Sequence, residues 1–242
     1  MGTKMVTQTD MLNLEECARV AADVHALRPY WVPRHATAPF FTFGAASYLD
    51  GDTQRPEVRQ QYYAKAARYN PVLIERFGWL YDRLLSTLER ELRAPCAFEE
   101  RLGRPGFHIF LPDKAFENPV YSIHFDLQYL QVDWVGHAAP DFSRPLSFTV
   151  SVVLPRSGGG LQTWDFFYAD WKNKPLPELM VEVQKRAPHF SPYKVGGLAM
   201  HDGHMVHQIA PMRDIDPGNP ADARITLQGH GIQSDGVWRL YW

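Results

Sequence analysis

The strongest periodicity in the chain is helical. Leu73, Phe77, Leu80, Leu84, Leu88 and Leu92 recur every three or four residues and draw one apolar stripe down a helix. Asn70-Pro71 supplies a capping side chain and a proline at the first helical position, and Pro95 stops the run. Such a stripe is read as core packing rather than as a cofactor contact. Upstream, Asn13 and Glu16 form a capping pair for a helix on which Leu14, Ala18 and Ala21 share a face. Residues 56–69 read as a polar helix of their own. Residues 40–49 are aromatic and β-prone, and Asp50-Gly51-Asp52 marks a turn after them. The first 95 residues are thus expected to be a mostly helical layer.

From Cys96 onward the period changes from 3.6 to 2. Residues 97–102 and 106–111 read as a short hairpin around Gly103-Arg104-Pro105. Residues 120–131 alternate, with Ser122, His124, Asp126 and Gln128 on one face and Tyr121, Ile123, Phe125, Leu127 and Tyr129 on the other. Leu146, Phe148, Val150, Val152 and Leu154 alternate with Ser147, Thr149 and Ser151. Gly158-Gly159-Gly160 turns the chain into residues 161–165. Residues 194–200 lead to Asp202-Gly203, a two-residue hairpin signal, and residues 205–210 return. A loop over 214–222 precedes strands at 223–232 and 237–242. The layout is a helical N-terminal layer backing an antiparallel β-barrel or sandwich, organised as one domain over 1–242. No glycine-rich loop opens a helix after a strand, which disfavours the nucleotide-binding folds.

The polar face of the 120–131 segment carries the chemistry. In a strand, residues i and i+2 point the same way, so His124 and Asp126 can converge on one ion. Two imidazoles and a carboxylate are the set that holds ferrous iron on one face and leaves the opposite positions open. A lone His-x-Asp is weak evidence. Its weight here comes from His207, inside another expected strand, and from Arg224 at the start of the strand expected to pair beside it. His201 and His204 compete for the distal role, but both flank the Asp202-Gly203 turn and read as exposed tip residues.

With these residues in place, the chain resembles the Fe(II)/2-oxoglutarate-dependent oxygenase superfamily over roughly residues 106–232. That family carries His-x-Asp, a distal His and Arg-x-Ser/Thr on a double-stranded β-helix (jelly-roll, cupin-like) core, so a mainly β fold with α is implied. The resemblance implies that His124, Asp126 and His207 bind Fe(II). It implies that Arg224 and Thr226 bind the co-substrate 2-oxoglutarate, a planar guanidinium gripping the far carboxylate through two parallel hydrogen bonds. The implied reaction is hydroxylation of a small molecule with O2, releasing succinate and CO2. Asp126 argues against the halogenating branch, whose members have lost that carboxylate. Three alternatives stay open: a ferrous oxidase that uses no 2-oxoglutarate, a cupin-like isomerase or hydrolase with a Lewis-acid metal, and a binding module that has kept the fold without turnover.

Other side chains carry less. Gln128 and Ser122 can orient ligands from behind. His108 and His230 read as satisfied core or surface residues. Trp134, Trp164, Phe166 and Tyr168 can line a substrate pocket, although aromatic residues on strands usually pack the core. Arg34, Arg156 and Arg213 can meet an anionic substrate, but solvated surface charge is the safer reading.

Composition narrows the field further. At 242 residues and 45% hydrophobic content the chain can bury a sizeable core. A net charge of −2 without a basic run disfavours a nucleic-acid partner, because phosphate binding needs a basic face. The two cysteines, Cys17 and Cys96, lack metal-type spacing. The start lacks an apolar signal core, and no apolar run approaches the ~20 residues of a membrane span. A cytoplasmic, disulfide-free protein without a membrane partner is expected. Oligomeric state and substrate are not readable from the sequence, with an amino acid or a natural-product intermediate the favoured guess.

Overall fold

The computed structural model describes residues 6–51, 55–119, 123–137, 140–171 and 175–242. In the N-terminal part, strand β1 (Val6–Asp10) is followed by helix α1 (Leu14–Ala26) and strands β2 (Val32–Pro33) and β3 (Phe40–Phe43). A single helical turn, α2 (Ser47–Asp50), then leads into the long α3 (Pro56–Leu92). Strands β4 (Cys96–Phe98), β5 (Gly106–Phe110), β6 (Asp141–Val153), β7 (Ser157–Gly158) and β8 (Leu161–Phe167) come next. After helices α4 (Tyr168–Trp171) and α5 (Leu176–Gln184) come β9 (His189–Ser191), β10 (Gly197–Asp202), β11 (Met205–Ile209) and β12 (Met212–Arg213). Strands β13 (Arg224–Ser234) and β14 (Val237–Tyr241) end the chain.

The main sheet runs β1-β10-β6-β13-β5-β3-β2, and β14 pairs with both β13 and β4. A smaller sheet runs β11-β8-β9, and β7 pairs with β12. The fold is mainly β with a few helices. Among the described residues no helix is long and apolar enough to cross a membrane.

Alternation in β6 and β13 divides the main sheet into two chemically distinct faces. Phe148, Val150, Val152, Ile225 and Leu227 join Phe107, Ile109 and Leu198 in one core with the helices. The α3 stripe supplies the other side of that core, with Leu73, Phe77, Leu80, Leu84 and Leu88 all fully buried. Burying each such side chain stabilises the fold by about 1.5–3 kcal/mol. The opposite face presents Ser147, Thr149, Ser151, Arg224, Thr226 and His230, all buried. Helices thus cover the apolar face, and a polar face is left to line a cavity.

Several local expectations are corrected by long-range pairing. The helix expected to begin at Asn70-Pro71 is continuous with the polar helix before it, with Pro71 inside and a kink at Phe77. Asn70 caps no helix; its amide donates to the Leu102 carbonyl and its oxygen accepts from the Arg104 N–H, so it is spent on a tertiary contact. The strand expected over 40–49 stops at Phe43, because Ala46 to Asp50 is drawn into a turn whose Asp50 carboxylate accepts from the Ala46 N–H. The hairpin expected around Gly103 does not form. There β5 pairs with β3 and β13, while β4 pairs in parallel with β14.

Helix α1 has the expected capping box at Asn13 and Glu16. Its buried face is Cys17, Val20 and Val24, however, and Leu14 is 74% exposed. The N-terminal layer is also not purely helical, since β1, β2 and β3 all extend the main sheet.

Candidate metal centre and its cavity

The segment expected to be a strand over 120–131 is not one in its described part; residues 120–122, Ser122 included, lie outside the described residues. Two backbone contacts replace the ladder. His124 and His207 exchange N–H to carbonyl bonds at 3.0 Å in each direction, and the Asp126 N–H donates to the Gly203 carbonyl at 2.7 Å. Gln128–Gln131 then curls into a 3-10 turn. The extended geometry survives long enough to keep His124 and Asp126 on one side, which is all that convergence needs.

Asp202-Gly203 likewise closes no hairpin. Strand β10 belongs to the main sheet and β11 to the smaller one, so the turn carries the chain from one sheet to the other. That crossing places His207 over the polar face of the main sheet. Gly203 leaves little room at the crossing: a Cβ there would sit 3.0 Å from Ser147 Oγ and 3.2 Å from Asp126 Cβ.

The ligating atoms of His124, Asp126 and His207 all lie within 4.8 Å of one another. His124 Nε2 is 3.6 Å from Asp126 Oδ1, and His207 Nε2 is 3.3 Å from Asp126 Oδ2. The His207 Nδ1–H donates to the Met205 carbonyl at 2.8 Å, which turns Nε2 toward the carboxylate. Asp126 and His207 are buried, whereas the His124 side chain is 36% exposed, so the centre opens to solvent beside His124.

Charges at the centre favour a cation. Burial opposes ionisation of Asp126, but the His207, His230 and His124 rings around it hold its carboxyl well below the usual carboxylate range. Burial likewise opposes protonation of His207, and the Asp126 charge more than offsets it, leaving that imidazole above its ordinary range. The donor set of two imidazole nitrogens and one carboxylate fits a ferrous ion.

The same cavity is lined by Arg224 and Thr149 from the main sheet, by Leu161 and Ile209 from the smaller sheet, and by Tyr48 and Tyr193. Arg224 is 1% exposed. Its Nε donates to the Gly159 carbonyl at 2.9 Å and its Nη1 to Thr226 Oγ1 at 3.2 Å, while its guanidinium carbon lies 5.5 Å from the Phe110 ring and 6.0 Å from the Tyr193 ring. The Gly159 carbonyl is presented from a left-handed backbone (φ +69°) that glycine adopts without strain. Arg224 does not reach the site from a strand beside β11, as expected from the sequence. Strand β13 pairs with β5, β6 and β14, and Arg224 approaches from the opposite sheet.

Most weaker sequence candidates fall outside the cavity lining. Trp164 and Phe166 pack in a core cluster with Trp171 and Val206, and Trp134 packs against a second cluster around Tyr62 and Tyr129. Arg34 is clamped by Asp50, Arg156 pairs with Asp222, and Arg213 is exposed. His201 is not an exposed tip residue. It is buried with its ring 4.5 Å from that of His207, and burial first, then the His207 charge, pushes it down to about 3.

His108 and His230 are buried and line the cavity, His108 Nε2 lying 2.6 Å from the Tyr48 hydroxyl. Sequence reasoning missed Ser147, Thr149, Tyr48 and Tyr193. The serine and threonine were visible as the polar half of the β6 alternation; nothing local marks the two tyrosines.

No family model matches the sequence, and no curated protein matches it. Solved structures do. An N-substituted L-amino acid dioxygenase from Burkholderia ambifaria AMMD matches with a TM-score of 0.62 at 15% identity, over 98% of this chain and 86% of that one. Its complex with alpha-KG matches at 0.60 and 14% over the same shares. The non-heme alpha ketoglutarate dependent epimerase SnoN from nogalamycin biosynthesis matches at 0.50 and 13%, over 96% of this chain and 81% of that one. At these identities the likeness is one of fold. This chain shares its fold with a dioxygenase solved in complex with alpha-KG and with an alpha ketoglutarate dependent epimerase.

Proposed function

We propose that the protein is an Fe(II)/2-oxoglutarate-dependent dioxygenase built on a double-stranded β-helix, and that it hydroxylates a small molecule with release of succinate and CO2. The carrying observation is that His124, Asp126 and His207 converge in the same cavity as a buried Arg224. The iron would be held by His124 Nε2, His207 Nε2 and the Asp126 carboxylate. When bound, ferrous iron supplies the one-electron and dioxygen chemistry that no side chain provides.

The protein's share is orientation and exclusion. Arg224 is anchored through Nε and Nη1 and lies near two aromatic rings, so its fork is oriented before any ligand arrives. It would grip the far carboxylate of 2-oxoglutarate. Thr226 Oγ1 accepts from Arg224 Nη1 and from Gln228 Nε2; it does not line the cavity, so its part is to hold the guanidinium in place. Apolar Leu161 and Ile209 close the walls and limit water around the reacting centre. Substrate would enter beside His124, the exposed member of the centre.

An amino acid or a natural-product intermediate is the substrate class we favour, in keeping with the small molecules named for the similarly folded enzymes. Substrate-stimulated O2 uptake with stoichiometric succinate, screened over such metabolites, tests the reading. O2 uptake without succinate would instead mean that Arg224 holds the substrate's own carboxylate. No O2 uptake with any compound, in protein loaded with iron, would refute an oxygenase.

A further inference from the structure

Both carboxylate oxygens of Asp126 already carry a protein donor. Gln128 Nε2 donates to Oδ1 at 2.7 Å and Ser147 Oγ donates to Oδ2 at 2.5 Å. From these two contacts we infer that Ser147 and Gln128 are positioning residues that lock the Asp126 carboxylate in its metal-binding orientation; the inference rests on the metal centre proposed above.

The Asp side chain ends in a torsion with a broad, two-fold preference, so an unsupported carboxylate swivels. Here donors engage its two oxygens from different parts of the fold. Each ionised oxygen has two lone pairs, so one donor apiece leaves one lone pair on each for a cation. Those same oxygens are the ones near His124 Nε2 and His207 Nε2. The lock and the ligand set therefore share one carboxylate.

The two donors stand on different supports. Ser147 lies in mid-β6, in register with His201 of β10 on one side and His230 of β13 on the other. That three-residue row crosses the sheet beneath Asp126. The Ser147 hydroxyl has a single proton, which goes to the acceptor-only carboxylate. Its 3.3 Å contact with His230 Nδ1 is then open only to the Nδ1–H tautomer of His230, whose same nitrogen lies 3.8 Å from Asp126 Oδ2. Gln128 opens the 3-10 turn that follows Asp126 and is itself buried; the carboxylate dictates that its amide NH2 faces inward. A sheet position and a turn position thus hold one side chain from two directions.

Mn(II) binding to the full-length protein tests this, read as the free Mn(II) signal by electron paramagnetic resonance, with thermal unfolding of the metal-free proteins beside it. Gln128→Leu and Ser147→Ala should each weaken Mn(II) by roughly 10- to 100-fold, the range typical for loss of a group that orients a metal ligand. Ser147→Thr, which keeps the hydroxyl, should recover most of the loss. A purely structural role would lower the unfolding temperature and leave the Mn(II) affinity of the folded protein at the wild-type value, and that result would overturn the inference. If Ser147→Ala does not fold, wild-type affinity in Gln128→Leu overturns it alone. Failure of the wild-type protein to bind Mn(II) would remove the metal centre itself, a different outcome from variants that match wild type.

Discussion

His124 and His207 exchange backbone hydrogen bonds in both directions, each N–H to the other's carbonyl at 3.0 Å, although the segment bearing His124 forms no strand. This single bridge brings the two imidazoles together, with ring centroids 4.4 Å apart. Two candidate ligands from distant parts of the chain are thereby fixed by main-chain geometry before any ion is considered.

The three side chains proposed to hold iron should behave differently from their neighbours. His207→Ala and Asp126→Ala are each expected to abolish iron retention after reconstitution and desalting, measured as metal content per chain. His201→Ala should retain iron, because that ring meets His207 edge-on without belonging to the converging set. Loss of iron in His201→Ala with retention in His207→Ala would reverse the assignment.

Arg224→Lys replaces a planar fork with a point charge. Losing one charge-assisted hydrogen bond costs about 1.5–3 kcal/mol. Binding of 2-oxoglutarate to the iron-loaded protein, followed by calorimetry, should weaken by roughly 10- to 100-fold, while iron content is unchanged. Equal affinity in the two proteins would mean that Arg224 does not hold the co-substrate.

Gly203→Ala places a methyl against Ser147 Oγ and Asp126 Cβ. Overpacking of this kind costs about 1–3 kcal/mol. We expect a lower unfolding temperature together with weaker metal binding, because the strain falls on the carboxylate and its serine donor. A destabilised protein with unaltered metal affinity would show that the strain is relieved elsewhere.

Asp50 is fully buried at its side chain and binds Arg34 at 2.7 Å and Lys65 at 2.6 Å. Removing it in Asp50→Ala leaves Arg34 buried and without this partner, a change that costs about 3–5 kcal/mol. Thermal or urea unfolding reads this directly. Burial pushes the Asp50 carboxyl up, yet its bonds to Arg34 and Lys65 outweigh burial and leave it below the usual value. A depressed carboxyl contributes stability above its unfolded value of about 3.9, and that stability is lost as pH falls through the folded value. Wild-type stability should therefore drop below about pH 4, and the Asp50→Ala protein should show a shallower drop over the same window.

What the sequence made legible was local. The α3 stripe, the Asn13–Glu16 capping box and the alternation of β6 are short-range patterns, and each appears in the structure. That His124 and Asp126 share a side was also legible, because i and i+2 do so in any extended segment; that His207 joins them was implied by the family resemblance. Pairing partners were not legible. The parallel docking of β4 on β14, the crossing of Asp202-Gly203 between sheets, and the arrival of Arg224 from the opposite sheet depend on contacts far apart in sequence. Tyr48 and Tyr193 reach the cavity for the same reason, and no neighbouring residue announces them.

The most direct test is an anaerobic titration of the purified protein with Fe(II) and then 2-oxoglutarate, followed by visible absorption. A metal-to-ligand charge-transfer band should grow with 2-oxoglutarate and saturate at one equivalent per chain, and it should be absent from Asp126→Ala. A wild-type protein that binds Fe(II) yet develops no band at saturating 2-oxoglutarate would contradict the assignment of Arg224 and the metal centre to one shared reaction site.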